Sequence, residues 1–256
     1  PGGESSRTVI QNKGSDTLVN VAQAWAEAYQ TVEPNVAVAV TGGGSGTGFA
    51  ALINGTVDIA NASRSIKDSE RQQIAEKGGE AKEYVVWFDA LAVYLHEDNP
   101  IDEISIATLR DIYGENGTTE SWSTLGVTIP GCTESEIVRV SRQNNSGTYA
   151  FFREAVLGDG DYKLGSRDLH GSKDVVDLVE NTPCSIGYSG LAYATEHIKM
   201  PCILSEDGTT CVTPSVETAL TGEYTIARPL LMYTIGEPTG ATKEYLDWIM
   251  SDVGQC

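Results

Sequence analysis

The sequence predicts an α/β protein of two lobes, each a mainly parallel sheet flanked by helices, with two strands crossing between the lobes. Three observations carry this prediction. Short valine- and alanine-rich runs alternate with amphipathic helical segments along the N-terminal part of the chain. Two apolar runs, EYVVWFDALAVYLH and RPLLMYTI, are long enough to leave one lobe and enter another. No internal repeat, low-complexity tract or Pro/Ser-rich tether intervenes. The organisation that follows is residues 1–88 for the first part of lobe 1, 89–228 for lobe 2, and 229–256 for the return to lobe 1. A chain of 256 residues can bury a substantial core in this form.

The elements follow in order. After NKGSDTL, the apolar residues Leu18, Val21, Ala22, Trp25, Ala28 and Tyr29 recur at helical spacing, with Ser15 or Asp16 placed to cap the start. NVAVAV is a short buried strand. The glycine-rich turn TGGGSGTG leads into FAALI, a short helix ended by Gly55. VDIANA reads as a strand and DSERQQIAEKGG as a helix closed by Gly78. Past the first crossing run, SIATLRDIYG is a helix capped by Ser105, and EIVRVSR is a strand feeding RQNNSGTYAFF. TYAFFREAVL and KDVVDLVE are helices, SIGYSGLAYA a strand bent at glycine, and TKEYLDWIMSD a terminal amphipathic helix.

Composition narrows the function. The chain carries 36 acidic against 17 basic residues, a formal charge of −19, which argues against tracking nucleic-acid phosphates. No apolar stretch approaches the length of a bilayer span. The opening PGGESSRTVI lacks the charged-then-apolar pattern of a leader, so the chain is read as already processed or cloned without one. Among five cysteines, Cys202 and Cys211 bracket the turn-like ILSEDGTT and suit a small disulfide loop. Cys132 and Cys184 form the other candidate pair, leaving Cys256 odd. There is no C-x-x-C pair to suggest a zinc ribbon, and this cysteine usage points to an exported protein.

Three segments share one design of strand, small polar loop and helix start: KGSDTL, TGGGSGTGF and RQNNSGTYAF. They place Ser15 and Thr17, Ser45 and Thr47, and Ser146 and Thr148 beside backbone N–H groups that have no partner inside their helices. The helix dipole adds partial positive charge at the same points. NASRS contributes Ser63 and Arg64 directly after a strand, and Arg142 sets a guanidinium four residues before Ser146. Any one loop reads equally well as a helix cap. Several converging at the C-terminal ends of parallel strands would make an anion site, with donors acting at short range against an acidic chain.

Rival motifs fail letter by letter. A Walker A loop needs Lys and Ser/Thr after its last glycine, whereas Gly48 is followed by Phe49 and Ala50. No frame of the glycine run supplies G-x-G-x-x-G, and Thr47 stands where a G-x-S-x-G elbow around Ser45 needs glycine. His96, His170 and His197 lie outside these loops, so no Ser–His pair is indicated. No His and carboxylate cluster appears at metal-ligand spacing. The expectation is therefore no catalytic residue, no metal and no cofactor.

Together GSDTL, TGGGSGTGFAALINGTVDIANASR and RQNNSGTYAFF resemble the phosphate-binding component of the bacterial high-affinity phosphate ABC importer. The similarity runs over nearly the whole chain, through LRDIYG, SWSTLG, SIGYSGLAYA and RPLLMYT. It implies a periplasmic-binding-protein type II fold, whose two lobes close over one desolvated tetrahedral oxyanion. It further implies a monomeric, non-enzymatic receptor, periplasmic or on the cell surface, that delivers inorganic phosphate to ABC permease subunits and touches no nucleic acid. Carried over by position, Thr17 and the backbone of Leu18 would bind from the first helix start, and Ser45 from the second. Arg142, Ser146, Gly147 and Thr148 would form the other lobe's share, while Ser15, Ser63 and Arg64 complete the expected ligand set.

Two departures stand out. Where many members place an aspartate to accept the proton of hydrogen phosphate, this chain reads Ala62, Ser63, Arg64. Where many have an aspartate orienting the arginine, it has Asn144. The chain also stops at DVGQC, where members continue into a last strand, so a trimmed C-terminus is expected. The rival readings are a binder of sulfate or molybdate and a secreted phosphatase-like hydrolase.

Overall fold

The computed structural model describes residues 7–133, 136–205 and 207–255. The chain divides into two compact units, one formed by residues 1–87 with 229–256 and the other by 88–228. It opens with β1 (Thr8–Gly14), α1 (Val19–Val32), β2 (Val36–Thr41), α2 (Ser45–Ile53), β3 (Ile59–Ala62) and α3 (Asp68–Glu76). It passes into the second unit within β4 (Ala81–His96). There follow β5 (Glu103–Ser105), α4 (Ile106–Tyr113), β6 (Val138–Arg142), α5 (Gly147–Ala155), β7 (Arg167–Leu169), α6 (Ser172–Glu180) and β8 (Ser185–Gly190). After β9 (Ile198–Lys199), β10 (Cys202–Leu204), β11 (Cys211–Val212) and α7 (Val216–Thr221), the chain returns within β12 (Ala227–Ile235) and ends in α8 (Gly240–Ile249) and α9 (Asp252–Gln255).

In the first unit the strand order is β2–β1–β3–β12. β1 runs parallel to β2, with Thr8 beside Val36, and to β3, with Gly14 beside Asn61; β12 is antiparallel to β3. Side chains alternate across a strand, so each face of the sheet gathers its own core. Ile10, Ile59, Leu230 and Met232 pack with Leu18, Ala22 and Trp25 at α1 and with Tyr245 and Ile249 of α8. Ala60, Ala62, Leu231 and Tyr233 pack on the opposite face with Phe49 and Leu52 of α2 and Ile74 of α3. Gly48 lets α2 approach closely: a Cβ there would lie 2.6 Å from the Lys13 carbonyl oxygen and 2.8 Å from the Gly14 Cα.

The second unit is built on β4, β8, β6 and β7 in that order, with β9 beside β4. β4 is antiparallel to β8, while β6 lies parallel to β8 and to β7. Leu91, Val93 and Leu95 face the larger core with Leu109, Ile112, Tyr113, Trp122 and Phe152. Ala92, Tyr94 and Val140 face Val175, Val176 and Val179 of α6. A small sheet, β11–β10–β5, flanks them. Both cysteine pairs are bonded: Cys132–Cys184 spans 52 residues, and Cys202–Cys211 closes the β10–β11 loop. Cys256 lies outside the described residues. Among the described residues no helix is long and apolar enough to cross a membrane.

The predicted α/β class is borne out, and three local details differ. Neither Ser15 nor Asp16 caps α1, because Leu18 occupies the cap position and both polar side chains are engaged elsewhere. α2 begins inside the glycine run, at Ser45, rather than at FAALI, because Gly44 supplies a φ of 89° that turns the chain into the helix. SIGYSGLAYA is not one bent strand: β8 ends at Gly190, and Leu191–Tyr193 wind into a single 3₁₀ turn.

Candidate functional site

In the first unit, three loops meet at the C-terminal ends of β1, β2 and β3. The Ser15 hydroxyl donates to Ser63 Oγ at 2.9 Å. The Ser63 backbone N–H donates to Ser45 Oγ at 3.0 Å, and the Ser45 and Ser63 hydroxyls lie 3.3 Å apart. Ser15, Ser45, Ser63 and Leu18 are buried to 1% exposure or less, and Thr17 to 8%. Asp16 braces the cluster from behind by accepting the Gly43 N–H at 2.9 Å, while Gly44 N–H donates to the Gly14 carbonyl at 2.9 Å. Both α1 and α2 start without a side-chain cap. The loops therefore bring two helix N-termini and three small hydroxyls to one place. A hydroxyl can donate or accept, so a cluster bonded to itself can turn its hydrogens onto an acceptor-only anion.

Arg64 is placed differently from Ser63. Its Nη1 and Nη2 donate to the two carboxylate oxygens of Glu70 at 2.8 and 2.7 Å, and Nη1 also donates to the Ser65 carbonyl. The guanidinium lies over the Phe49 ring, 4.7 Å from its centroid. A carboxylate thus closes the fork that was expected to face an anion beside Ser63.

In the second unit, β6 delivers Arg142 and α5 begins five residues later. Arg142 is 1% exposed. Its Nη1 donates to Ser172 Oγ at 3.0 Å and its Nη2 to the His170 carbonyl at 2.7 Å, which sets the plane of the guanidinium. This is the orienting role for which the resemblance led us to expect a carboxylate at position 144; Asn144 is exposed, and the loop leading into α6 supplies the partners instead. Ser146 caps α5, accepting from Thr148 N–H at 3.1 Å and Tyr149 N–H at 3.4 Å. Gly147, with no side chain, opens the helix, and Thr148 is fully buried.

The structure adds residues that the sequence reading did not single out. Thr148 Oγ1 accepts from Arg228 Nη2 at 3.0 Å, and Arg228 is paired with Asp89 at 3.1 Å. Burial pushes the Asp89 carboxyl up and the Arg228 guanidinium down, and each partner's charge opposes the other's shift. The signal for both was legible: an acid inside VVWFDALAVYLH and an arginine ahead of PLLMYT are charges set in otherwise apolar strands. Ser172 carried only the weak signal of a helix start in HGSKDVV.

An α/β chain of two units, threaded by two strands and carrying uncapped or hydroxyl-capped helix starts at its strand ends, has the build of a solute-binding protein. The chain belongs to the PBP superfamily, whose domain model matches residues 1–253. Among its relatives, the phosphate-binding protein PstS of Pseudomonas aeruginosa is 32% identical, covering 96% of this chain and 79% of that protein. Protein SphX of Synechococcus elongatus is 35% identical over 90% of this chain and 68% of its own length. In crystal structure, a phosphate ABC transporter substrate-binding protein with bound phosphate from Clostridium perfringens superposes with a TM-score of 0.84 at 28% identity, covering 97% of this chain and 95% of that one. The resemblance read from the three loops thus holds at the level of the family.

Proposed function

We propose that the chain captures inorganic phosphate and delivers it to an ABC permease, acting as a monomer outside the cytoplasm. The observation that carries this is Arg142: a guanidinium buried in a strongly acidic chain, oriented by Ser172 and His170, beside a hydroxyl-capped helix start. In this reading the ligand-binding residues are Arg142, Ser146, Gly147 and Thr148 together with Ser15, Thr17, Ser45, Ser63 and the Leu18 N–H. Charge-assisted hydrogen bonds contribute about 1.5–3 kcal/mol each, so a handful supports micromolar or tighter binding after the costs of association. The two disulfides support residence in an oxidising compartment.

One observation favours a second reading. With Ser63 and a Glu70-bound Arg64 where a proton acceptor was expected, a fully ionised oxyanion such as sulfate gains ground. Calorimetry of phosphate-stripped protein at neutral pH separates the two. Phosphate should bind more tightly than sulfate or molybdate; the reverse order refutes the phosphate assignment. No hydrolysis of aryl phosphates is expected, with or without divalent metal, because the loops hold no activated nucleophile.

A further inference from the structure

Asn12 of β1 and Asn61 of β3 are buried, at 1% and 0% exposure, and neither side chain has a hydrogen-bond partner among the described residues, at its oxygen or at its nitrogen. Exchanging oxygen and nitrogen in either amide changes nothing, since both atoms of both groups are alike in this. Two residues before each stands an isoleucine, Ile10 and Ile59, of the core that packs on α1 and α8. Side chains two apart along a strand share a face, so both amides enter that apolar core. Their strand neighbours cannot serve them. Asn12 lies between Val40 of β2 and Ile59 of β3, and Asn61 between Gly14 of β1 and Met232 of β12. From the α1 side the core offers Leu18, Ala22 and Trp25, and the Trp25 indole N–H is already given to the Gly254 carbonyl at 2.8 Å.

Each amide brings two N–H donors and an oxygen that accepts, and buried groups of this kind go unpaired rarely because nothing offsets their desolvation. The two are diagonal neighbours: Asn61 lies two residues beyond Ile59, the register partner of Asn12. Strand spacing and rise put their Cα atoms roughly 8 Å apart. That is beyond a direct bond between amides standing side by side, but within the span of one bridging molecule that bonds to each at about 2.8 Å. Gly14, beside Asn61, carries no side chain to fill the place of such a molecule. We propose that Asn12 and Asn61 form an internal water site in the first unit, with at least one ordered water bridging the two amides. Neutral groups that both donate and accept call for a small neutral molecule that does the same, and at this depth of burial that molecule is water. The site lies one peptide behind the loop that carries Ser15, whose N–H donates to the Asn61 carbonyl at 2.9 Å. It is independent of the phosphate reading, since neither amide belongs to the hydroxyl cluster of Ser15, Ser45 and Ser63.

Two measurements test this. A crystal structure of the wild-type protein, at a resolution that shows internal waters, should place a water within hydrogen-bond distance of both amides. In solution, ¹⁷O relaxation dispersion of water counts molecules trapped inside the protein. The wild type is compared with Asn12→Leu/Asn61→Leu, which replaces both amides by apolar groups of similar shape and removes the reason for a water to stay. Circular dichroism checks that the double variant is folded. The dispersion amplitude should fall by the equivalent of at least one water. Amides bonded directly to one another or to protein groups with no water between them, or a dispersion unchanged by the double replacement, overturn the proposal. The crystal structure needs no variant, so the proposal can be refuted even where the double variant does not fold. Phosphate affinity enters neither readout, so the outcome leaves the phosphate reading where it stands.

Discussion

Replacing Arg142 with alanine tests the centre of the binding reading. The side chain is 1% exposed, and its two terminal nitrogens are fixed by Ser172 Oγ at 3.0 Å and the His170 carbonyl at 2.7 Å. A guanidinium so oriented presents one or two charge-assisted bonds to an oxyanion, at about 1.5–3 kcal/mol each. Allowing for partial rehydration of the truncated site, the loss is about 3–4 kcal/mol, or two to three orders of magnitude in Kd. The same truncation takes a donor from the part-buried His170 carbonyl and leaves a void where a fully buried side chain stood, at a cost of about 1–3 kcal/mol in stability. Calorimetry on phosphate-stripped protein reads the first effect and denaturant unfolding the second. Arg142→Lys should also bind poorly, because one ammonium cannot serve Ser172, His170 and a ligand with the geometry of a planar fork. Phosphate affinity at the wild-type level in both variants, with stability alone reduced, refutes the reasoning and makes Arg142 a structural brace.

Arg64→Met should lower stability while leaving phosphate affinity close to wild type, because the Arg64 fork is closed by Glu70; a large loss of affinity returns Arg64 to the ligand. Cys132→Ser/Cys184→Ser opens a loop with a sequence separation of 52 and should cost about 3–4 kcal/mol in urea unfolding without altering phosphate binding; an unchanged midpoint contradicts this. Asp207 is held down to about 2 by the Ser205 hydroxyl and by the backbone N–H and hydroxyl of Thr209. Its contribution to stability is complete above the unfolded value of about 3.9 and is lost as pH falls through the folded value. Carboxyl ¹³C shifts should show Asp207 titrating well below an ordinary aspartate, and a normal midpoint removes the effect.

What the sequence by itself determined is what local chemistry determines. Apolar periodicity marked α1, α4, α6 and α8, the valine-rich runs marked β2 and β4, and Ser105 announced the start of α4 by the hydrogen bond it makes to Thr108 N–H. These follow from groups within a turn or two of one another, so residue order alone specifies them. The three-residue β5 and β10 and the two-residue β9 and β11 were invisible, being too short to carry a period and held by pairing and by the Cys202–Cys211 bond. The partners of the polar side chains belonged to tertiary structure alone. Ser15 reaches Ser63 across 48 residues, Arg142 reaches Ser172 across 30, and Arg228 reaches Thr148 across 80 and Asp89 across 139. A sequence shows that a buried cation must have a partner, because an unpaired charge is too costly to bury. Which carboxylate, carbonyl or hydroxyl answers it depends on how the strands are ordered in the sheet. That order here sends Arg142 to Ser172 and the His170 carbonyl and Arg228 to Asp89, whereas Arg64 meets Glu70 only six residues on, in the first turn of α3.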